Sequence, residues 1–556
     1  MRSLKHLPLT LALGAMPLAA TTTEQPSLAE IENRIVAQEQ NEMRMLRQYR
    51  PLVETYIQYL RQDKQLGEVP DGDKYFLGRA ELAKGVELEP LNRETGMKHK
   101  IFGSWGNFFS VDFLPRGFLQ MIYLDMDGLD HKYYKLDYVK REFLGEVRCL
   151  VFDVNPRLKA GKGRFVGRIW VEDQDYHVVR FNGSYGGSSL TSNYLNFESW
   201  RINAGKNLWL PAFIYSEGPS VYDSKARSLG FKAFKAQTRL WGYDLGQIRK
   251  EQEPDVVTAK GPEANHPDAA NDYSPLQAER SWNRAAEDNV SDLLEHQGLM
   301  APAGELEKVL ETVVTNLEVT NDLDIQPELR CRILMTSTLE SFTVGHTIVL
   351  SRGLLDVLPN EAGLAAILAH EMGHVVLRHH MDTQFAFLSR VRFDEKGTFR
   401  HFDFGRTPEE EQEANQEAIE LLRNSPYKEQ SATAQFFLQA LKQRSKEIPN
   451  LVSPHLGNRV ETNWIITADK PEDQPADTKA KPDEIAALPL GGHIKFDPWN
   501  DQLSFLKSKP VNSLAEDEKK PFEITPFAFY LTRQGANPPT EAAGATAAKV
   551  EAETTP

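Results

Sequence analysis

A chain of 556 residues is too long for one hydrophobic core, and its length implies about three folded units joined by linkers. An apolar fraction of 40%, with 10% aromatic residues, is ample for packed cores and confines disorder to stretches that depart from that mean. A formal charge of −15, without any basic run, excludes a general nucleic-acid binder, which needs clustered Lys and Arg against phosphate.

Residues 1–20 carry a basic start (Arg2, Lys5), an apolar stretch from Leu7 to Leu18 and small residues at Ala19 and Ala20. This is the pattern of a cleavable secretory signal. The stretch is short for a bilayer, Pro8 and Pro17 interrupt it, and no cysteine follows it for a lipid anchor. No later run of about 18 apolar residues offers a transmembrane helix. The expectation is an exported protein, periplasmic or extracellular, with at most peripheral association with the cell envelope.

Over 27–66, Ser27 and Glu30 form a capping box, and apolar residues at helical spacing predict two helices divided by Pro51. From 75 to 247 the pattern turns to strands, and two β-rich runs flank a polar turn in GRIWVEDQDYHVVRFNG at 167–183. This predicts a β-rich, mostly antiparallel domain. That phrase and NLWLPAFIYSEG resemble the half-open barrels of bacterial lipoprotein carriers. The polar stretch 248–285, rich in Pro, Asp, Glu and Ala, reads as a linker.

A mainly helical domain with a small sheet follows over 286–465. Its first helices include GELEKVLETVVTNL, where Leu306, Val309, Leu310, Val313, Val314 and Leu317 form one apolar face. Strands RILMTS and HTIVLS come next, and then a helix that Asn360 can cap. A second charged linker spans 466–484, a small module 485–533, and an Ala, Thr, Pro and Glu tail 534–556 reads as disordered. Cys149 and Cys331 fall in different domains and read as two buried thiols. The fold class is therefore α+β and multidomain.

The capped helix contains LAAILAHEMGHVVLRHH. His370 and His374 lie one turn apart on one face, where their imidazoles can converge on a metal, and Glu371 stands about 100° round from His370, beside such a metal. A catalytic zinc needs a third protein ligand. His380 has the spacing of a metzincin ligand, but Leu377 replaces the glycine that would turn the chain there, so the helix is expected to continue and to carry His379 and His380 at its C-terminal end. His401 with Asp403 is a second candidate. The third is TPEEEQEANQEAIELLRN, where Thr407, Pro408 and Glu410 start a helix and Glu411 aligns with Ala414, Ala418 and Leu422 on the face that should be buried. Asn415, one turn on, can support a ligand from behind.

The stretch HTIVLSRGLLDVLPNEAGLAAILAHEMGHVVLRHH, with GRTPEEEQEANQEAIELL, resembles the M48 metallopeptidases, gluzincins that include the HtpX and CAAX prenyl proteases. The resemblance covers about residues 290–465. It implies zinc ligation, one Zn2+ per chain, by His370, His374 and Glu411, with Glu371 as the general base and a protein or peptide as substrate. EQEAN at 411–415 departs from the family's E-x-E-A-D at its last place, where Asn415 loses a carboxylate charge. The interval from His374 to Glu411 is also short for the family. SPHLGNRV at 453–460 resembles a His-Pro-x-Arg segment near the family's active site, which gives His455 and Arg459 a role at the oxyanion or in gating. HTIVL at 346–350 is either an edge strand that pairs with substrate or a core strand. The reading is an exported zinc endopeptidase, with envelope protein quality control as its setting; the alternative is a periplasmic carrier or chaperone whose peptidase domain is slow or silent.

Overall fold

The computed structural model describes residues 26–91, 115–243, 275–379, 402–428 and 441–457, with breaks inside these spans of which 187–195 is the longest, together with 438, 494–497, 502–505, 531 and 533. The signal stretch, the tail after 533, His380, His401, His455 and Arg459 lie outside the described residues.

Helix α1 (Leu28–Leu46) starts where Ser27 accepts the Glu30 N–H, half of the expected capping box, since the Glu30 side chain pairs instead with Arg34, and it ends before Pro51. The second helix expected over 27–66 is instead strand β1 (Leu52–Asp63). Residues 52–58 are all buried. Leu52 and Tyr56 face one core while Val53 and Ile57 face another, so the run is apolar on both sides and lacks the alternation that marks a half-buried strand. The β-branched and aromatic content of LVETYIQY decides for the strand.

The large sheet therefore begins at Leu52 rather than at 75. With β2 (Gly67–Glu81), β3 (Glu87–Pro90), β4 (Tyr134–Leu144), β5 (Val147–Pro156), β6 (Arg164–Glu172), β7 (Val178–Gly186), β8 (Asn196–Gly205), β9 (Leu208–Glu217) and β10 (Ala233–Trp241) it forms ten antiparallel strands in the order β3-β2-β1-β10-β9-β8-β7-β6-β5-β4. The end strands β3 and β4 do not pair with each other. Helices α1 and α2 (Pro115–Gln120) pack on one face, where Ile35, Leu46, Phe118, Phe152, Phe181 and Ile214 share a core. The C-terminal part returns to the opposite face: Leu531 is buried among Trp170, Trp200 and Trp209 and accepts the Glu146 N–H, and Arg533 pairs with Glu172. Strands β14 (Ile494–Asp497) and β15 (Gln502–Phe505) pair with each other as a hairpin.

The expected linker 248–285 ends early, because helix α4 (Pro275–His296) starts inside it; α3 (Ser224–Ser228) is a single turn before β10. Helix α5 (Glu305–Thr320) buries its predicted face except for Val309, which is 42% exposed. A three-stranded sheet follows, β11 (Arg330–Leu334), β12 (Ser341–Val344) and β13 (Thr347–Ser351), in the order β11-β13-β12. β13 pairs with a strand on each side, so HTIVL is a core strand and β12 is an edge. Short α6 (Arg352–Val357) then leads to α7 (Glu361–Val376), capped by Asn360 through Gly363 N–H, and later to α8 (Pro408–Arg423), which carries the Thr407/Glu410 capping box.

The large sheet and this second part share one core. Leu52, Tyr56, Tyr75, Leu77 and Trp241 are buried with Leu310, Ile333, Leu354 and Leu368. Polar contacts lock the seam: Glu54 accepts from Ser337 N–H at 2.5 Å, Ser337 Oγ at 2.6 Å and Arg352 at 3.1 Å, and Asp73 accepts the N–H groups of Asn450 and Leu451. A buried carboxylate in a hydrophobic seam is tolerable only when satisfied in this way. Both cysteines are buried and unpaired. No helix among the described residues is long and apolar enough to cross a membrane.

Candidate metal centre

Helices α7 and α8 cross at Gly373 and Ala414, where a Cβ on Gly373 would sit 2.8 Å from the Ala414 carbonyl oxygen. Only glycine lets the backbones approach so closely. That approach brings His370, His374 and Glu411 together, all 2% exposed or less. Their Nε2 atoms lie 3.3 Å apart, Glu411 Oε2 is 3.0 Å from His370 Nε2, and Oε1 is 3.6 Å from His374 Nε2. Zinc held tetrahedrally at about 2.0–2.2 Å from each ligand needs ligand atoms roughly 3.3–3.5 Å apart. The triangle has that size. Among the described residues it is the one group of three His, Cys, Asp or Glu side chains that converges this way.

Both Glu411 oxygens are buried and face the two imidazole nitrogens rather than a backbone N–H or a hydroxyl. A buried carboxylate without a counter-charge costs several kcal/mol, far more than helix α8 recovers from its cap, and a proton held on His370 or a dication between the ligands removes that penalty. The histidines are prepared for the same ion. His370 Nδ1 lies 3.0 Å from Asn415 Oδ1, and His374 Nδ1 lies 2.9 Å from His379 Nδ1. If each Nδ1 donates outward, both Nε2 lone pairs face the centre. Burial, with His370 and Arg406 nearby, drives the pKa of His374 down to about 2, so its ring is neutral as a ligand must be. Burial alone would depress His370, but Glu411, Glu371 and Asn415 outweigh it and raise it, so a metal there must displace a proton. The donor set of two imidazoles and one carboxylate suits zinc.

Glu371 is 3% exposed, and its two oxygens accept from Ser341 Oγ and Thr343 Oγ1, each at 2.5 Å. Burial raises its pKa above the usual carboxylate range against the pull of His370 and the two hydroxyls, which makes it a better proton acceptor. Strand β12 thus holds this carboxylate beside the three converging side chains. Neither Ser341 nor Thr343 stands out in the sequence, because SFTV is too short to carry a periodic signal.

The helix does not run on to His379 as its sequence implies. It stops at Val376 with cap Leu377, and Arg378 takes φ +59°. Arg378 N–H then bonds Val375 O, and His379 N–H bonds His374 O, the Schellman pattern that usually has glycine at the left-handed position. The chain reverses and swings His379 back behind His374, with Glu413 3.3 Å from its Nε2. Asp403, a candidate in the sequence, is exposed, accepts the Gly405 N–H and stays outside the converging group.

Residues 301–393 match the model of Peptidase family M48, which supports a metallopeptidase of that family for this part of the chain. No curated protein matches the sequence. Similar solved structures include a DUF1329 family protein from Desulfovibrio piger, at 11% identity over 39% of this chain and 93% of that one, with TM-score 0.20. A putative outer membrane lipoprotein-sorting protein domain from Vibrio parahaemolyticus is 10% identical over 40% of this chain and 94% of that one, also with TM-score 0.20.

Proposed function

We propose that this protein is a zinc-dependent endopeptidase in which His370, His374 and Glu411 hold one zinc ion and Glu371 is the general base. The observation that carries the reading is the triangle of buried ligand atoms, 3.0–3.6 Å on a side, with the Glu371 carboxylate positioned beside it by β12. Zinc in such a site supplies Lewis acidity, which polarises a peptide carbonyl and makes water acidic enough to lose a proton near neutral pH. Glu371 takes the proton from the attacking water on a carboxylate oxygen and delivers it to the leaving amine. Ser341 and Thr343 keep both oxygens of Glu371 oriented, and Asn415 and His379 fix the imidazole planes. The basic and apolar pattern of residues 1–20 supports export, and with it a role on proteins of the cell envelope.

Zinc content and casein cleavage, compared between the wild type and Glu371→Gln at equal metal loading, test this directly. The expected result is about one zinc in both proteins, with cleavage reduced about 10²–10⁴-fold in the variant. Equal cleavage would remove Glu371 from the base role. Zinc in both with cleavage in neither would favour the carrier or chaperone reading.

A further inference from the structure

Strand β12 is where an extended peptide would add to the small sheet, and its free edge is already taken. Glu340 O accepts the Ser351 N–H, so position 340 faces β13, and by strand alternation the backbone groups of Ser341 and Thr343 face outward. The Thr343 carbonyl accepts Arg406 Nη2 at 3.2 Å. The Ser341 carbonyl lies against Gly457, where a Cβ would come within 2.5 Å of it. On the other face of the strand, the Phe342 ring stacks on Phe404, with centroids 4.6 Å apart and planes 13° from parallel. Phe404 N–H bonds Leu456 O, and buried Glu340 accepts the N–H groups of Leu456 and Gly457, so the two covering segments are tied to each other and to the strand. The catalytic side chains beneath are at most 3% exposed, which no extended peptide can reach as the chain stands.

We infer that Phe404–Arg406 is a self-binding strap that fills the substrate's place on β12, and that a peptide is bound only by replacing it. This rests on the peptidase reading above. The strap occupies the edge with a side-chain donor on an outward carbonyl and a ring packed beside the strand, where an added strand would place main-chain hydrogen bonds and its own side chains. It also leads straight into Thr407, the cap of the helix that carries Glu411, so its release occurs next to the metal ligands. A chain that binds peptide only in its minor open form shows an affinity reduced by the open fraction, and weakening the strap restores it.

The test uses the full zinc-loaded chain in the Glu371→Gln background, where binding of a fluorescein-labelled unstructured peptide is read by anisotropy without turnover. Arg406→Ala, which removes the donor to Thr343 and leaves the aromatic stack, should tighten binding about tenfold. Arg406→Gln serves as a second variant, with zinc content and melting temperature checked in each. With Glu371 restored, kcat/KM should rise by a similar factor, mainly through KM. Binding that is unchanged, weaker or undetectable in both variants overturns the strap. Tighter binding without cleavage by any chain would keep the strap and reject the peptidase reading; cleavage by the wild type with weaker binding in the variants would do the reverse.

Discussion

Under α1, Glu39, Glu42, His177 and Arg201 are buried at 2% exposure or less, as are His370, His374 and Glu411 between α7 and α8. The first group is joined in pairs, although Glu42 Oε1, His177 Nε2 and Arg201 Nε are buried without a hydrogen bond. Arg201 meets Glu39 through two nitrogens, each 2.7 Å from a carboxylate oxygen, and His177 Nδ1 lies 3.2 Å from Glu42. The second group turns two imidazole nitrogens and a carboxylate toward one another, with His370 Nε2 3.3 Å from His374 Nε2 and 3.0 Å from Glu411 Oε2. The first pairs its full charges and fastens α1 to the sheet, while the second draws three ligand atoms to one point, where a proton on His370 or a metal ion offsets the Glu411 charge. Counting buried histidines and glutamates does not separate a lock from a metal centre; the convergence of three ligand atoms on one point does.

The sharpest way to break the comparison is to remove one carboxylate from each group. Glu411→Ala should lose nearly all zinc, measured by metal analysis after dialysis, and with it all detectable cleavage. Glu39→Ala should leave zinc intact but destabilise the chain by about 3–5 kcal/mol in urea denaturation, because Arg201 is left charged and buried. Zinc loss from the second variant, or a loss of stability without zinc loss from the first, would erase the distinction. Asn415→Asp places a full charge behind His370, and competition with a chelator should show zinc held about 10–100-fold tighter. The smallest effect concerns Glu42, whose pKa burial raises despite His177 and Arg201. A carboxyl with a raised native pKa binds its proton more tightly when folded, so the stability it contributes is present below its unfolded value and is lost as pH rises through the folded one. Glu42→Gln should therefore flatten that decline in a series of denaturation curves from pH 4 upward.

The lock and the metal centre were unequally legible in the sequence. His370, Glu371 and His374 announce themselves by helical spacing, and Glu411 by lying in register with Ala414 and Ala418 on a buried face. Those signals are local. Glu39 and Arg201 are 162 positions apart, and no periodicity links them. The same limit hid Ser341, Thr343 and Arg406, which gain their meaning only when β12 is set against α7. The reversal at Arg378 was misread because a non-glycine residue in the left-handed region is disfavoured by roughly 1–2 kcal/mol, so local preference argued for a longer helix. Strand β1 was misread for the opposite reason: burial on both faces erased the alternation on which strand recognition depends.

That doubly buried strand has a consequence for how such a chain can be inherited. Residues 301–393 carry the family match, yet the floor beneath them is lent by Leu52, Tyr56, Tyr75, Leu77 and Trp241, and Glu54 is bonded through the seam to Ser337 and Arg352. A gene fragment that begins at the composition shift near 248 would encode the family-matched part with its underside stripped, prone to clump with its own copies. The sheet and the helices that carry His370, His374 and Glu411 share one hydrophobic core, and recombination that separates them exposes it on both sides.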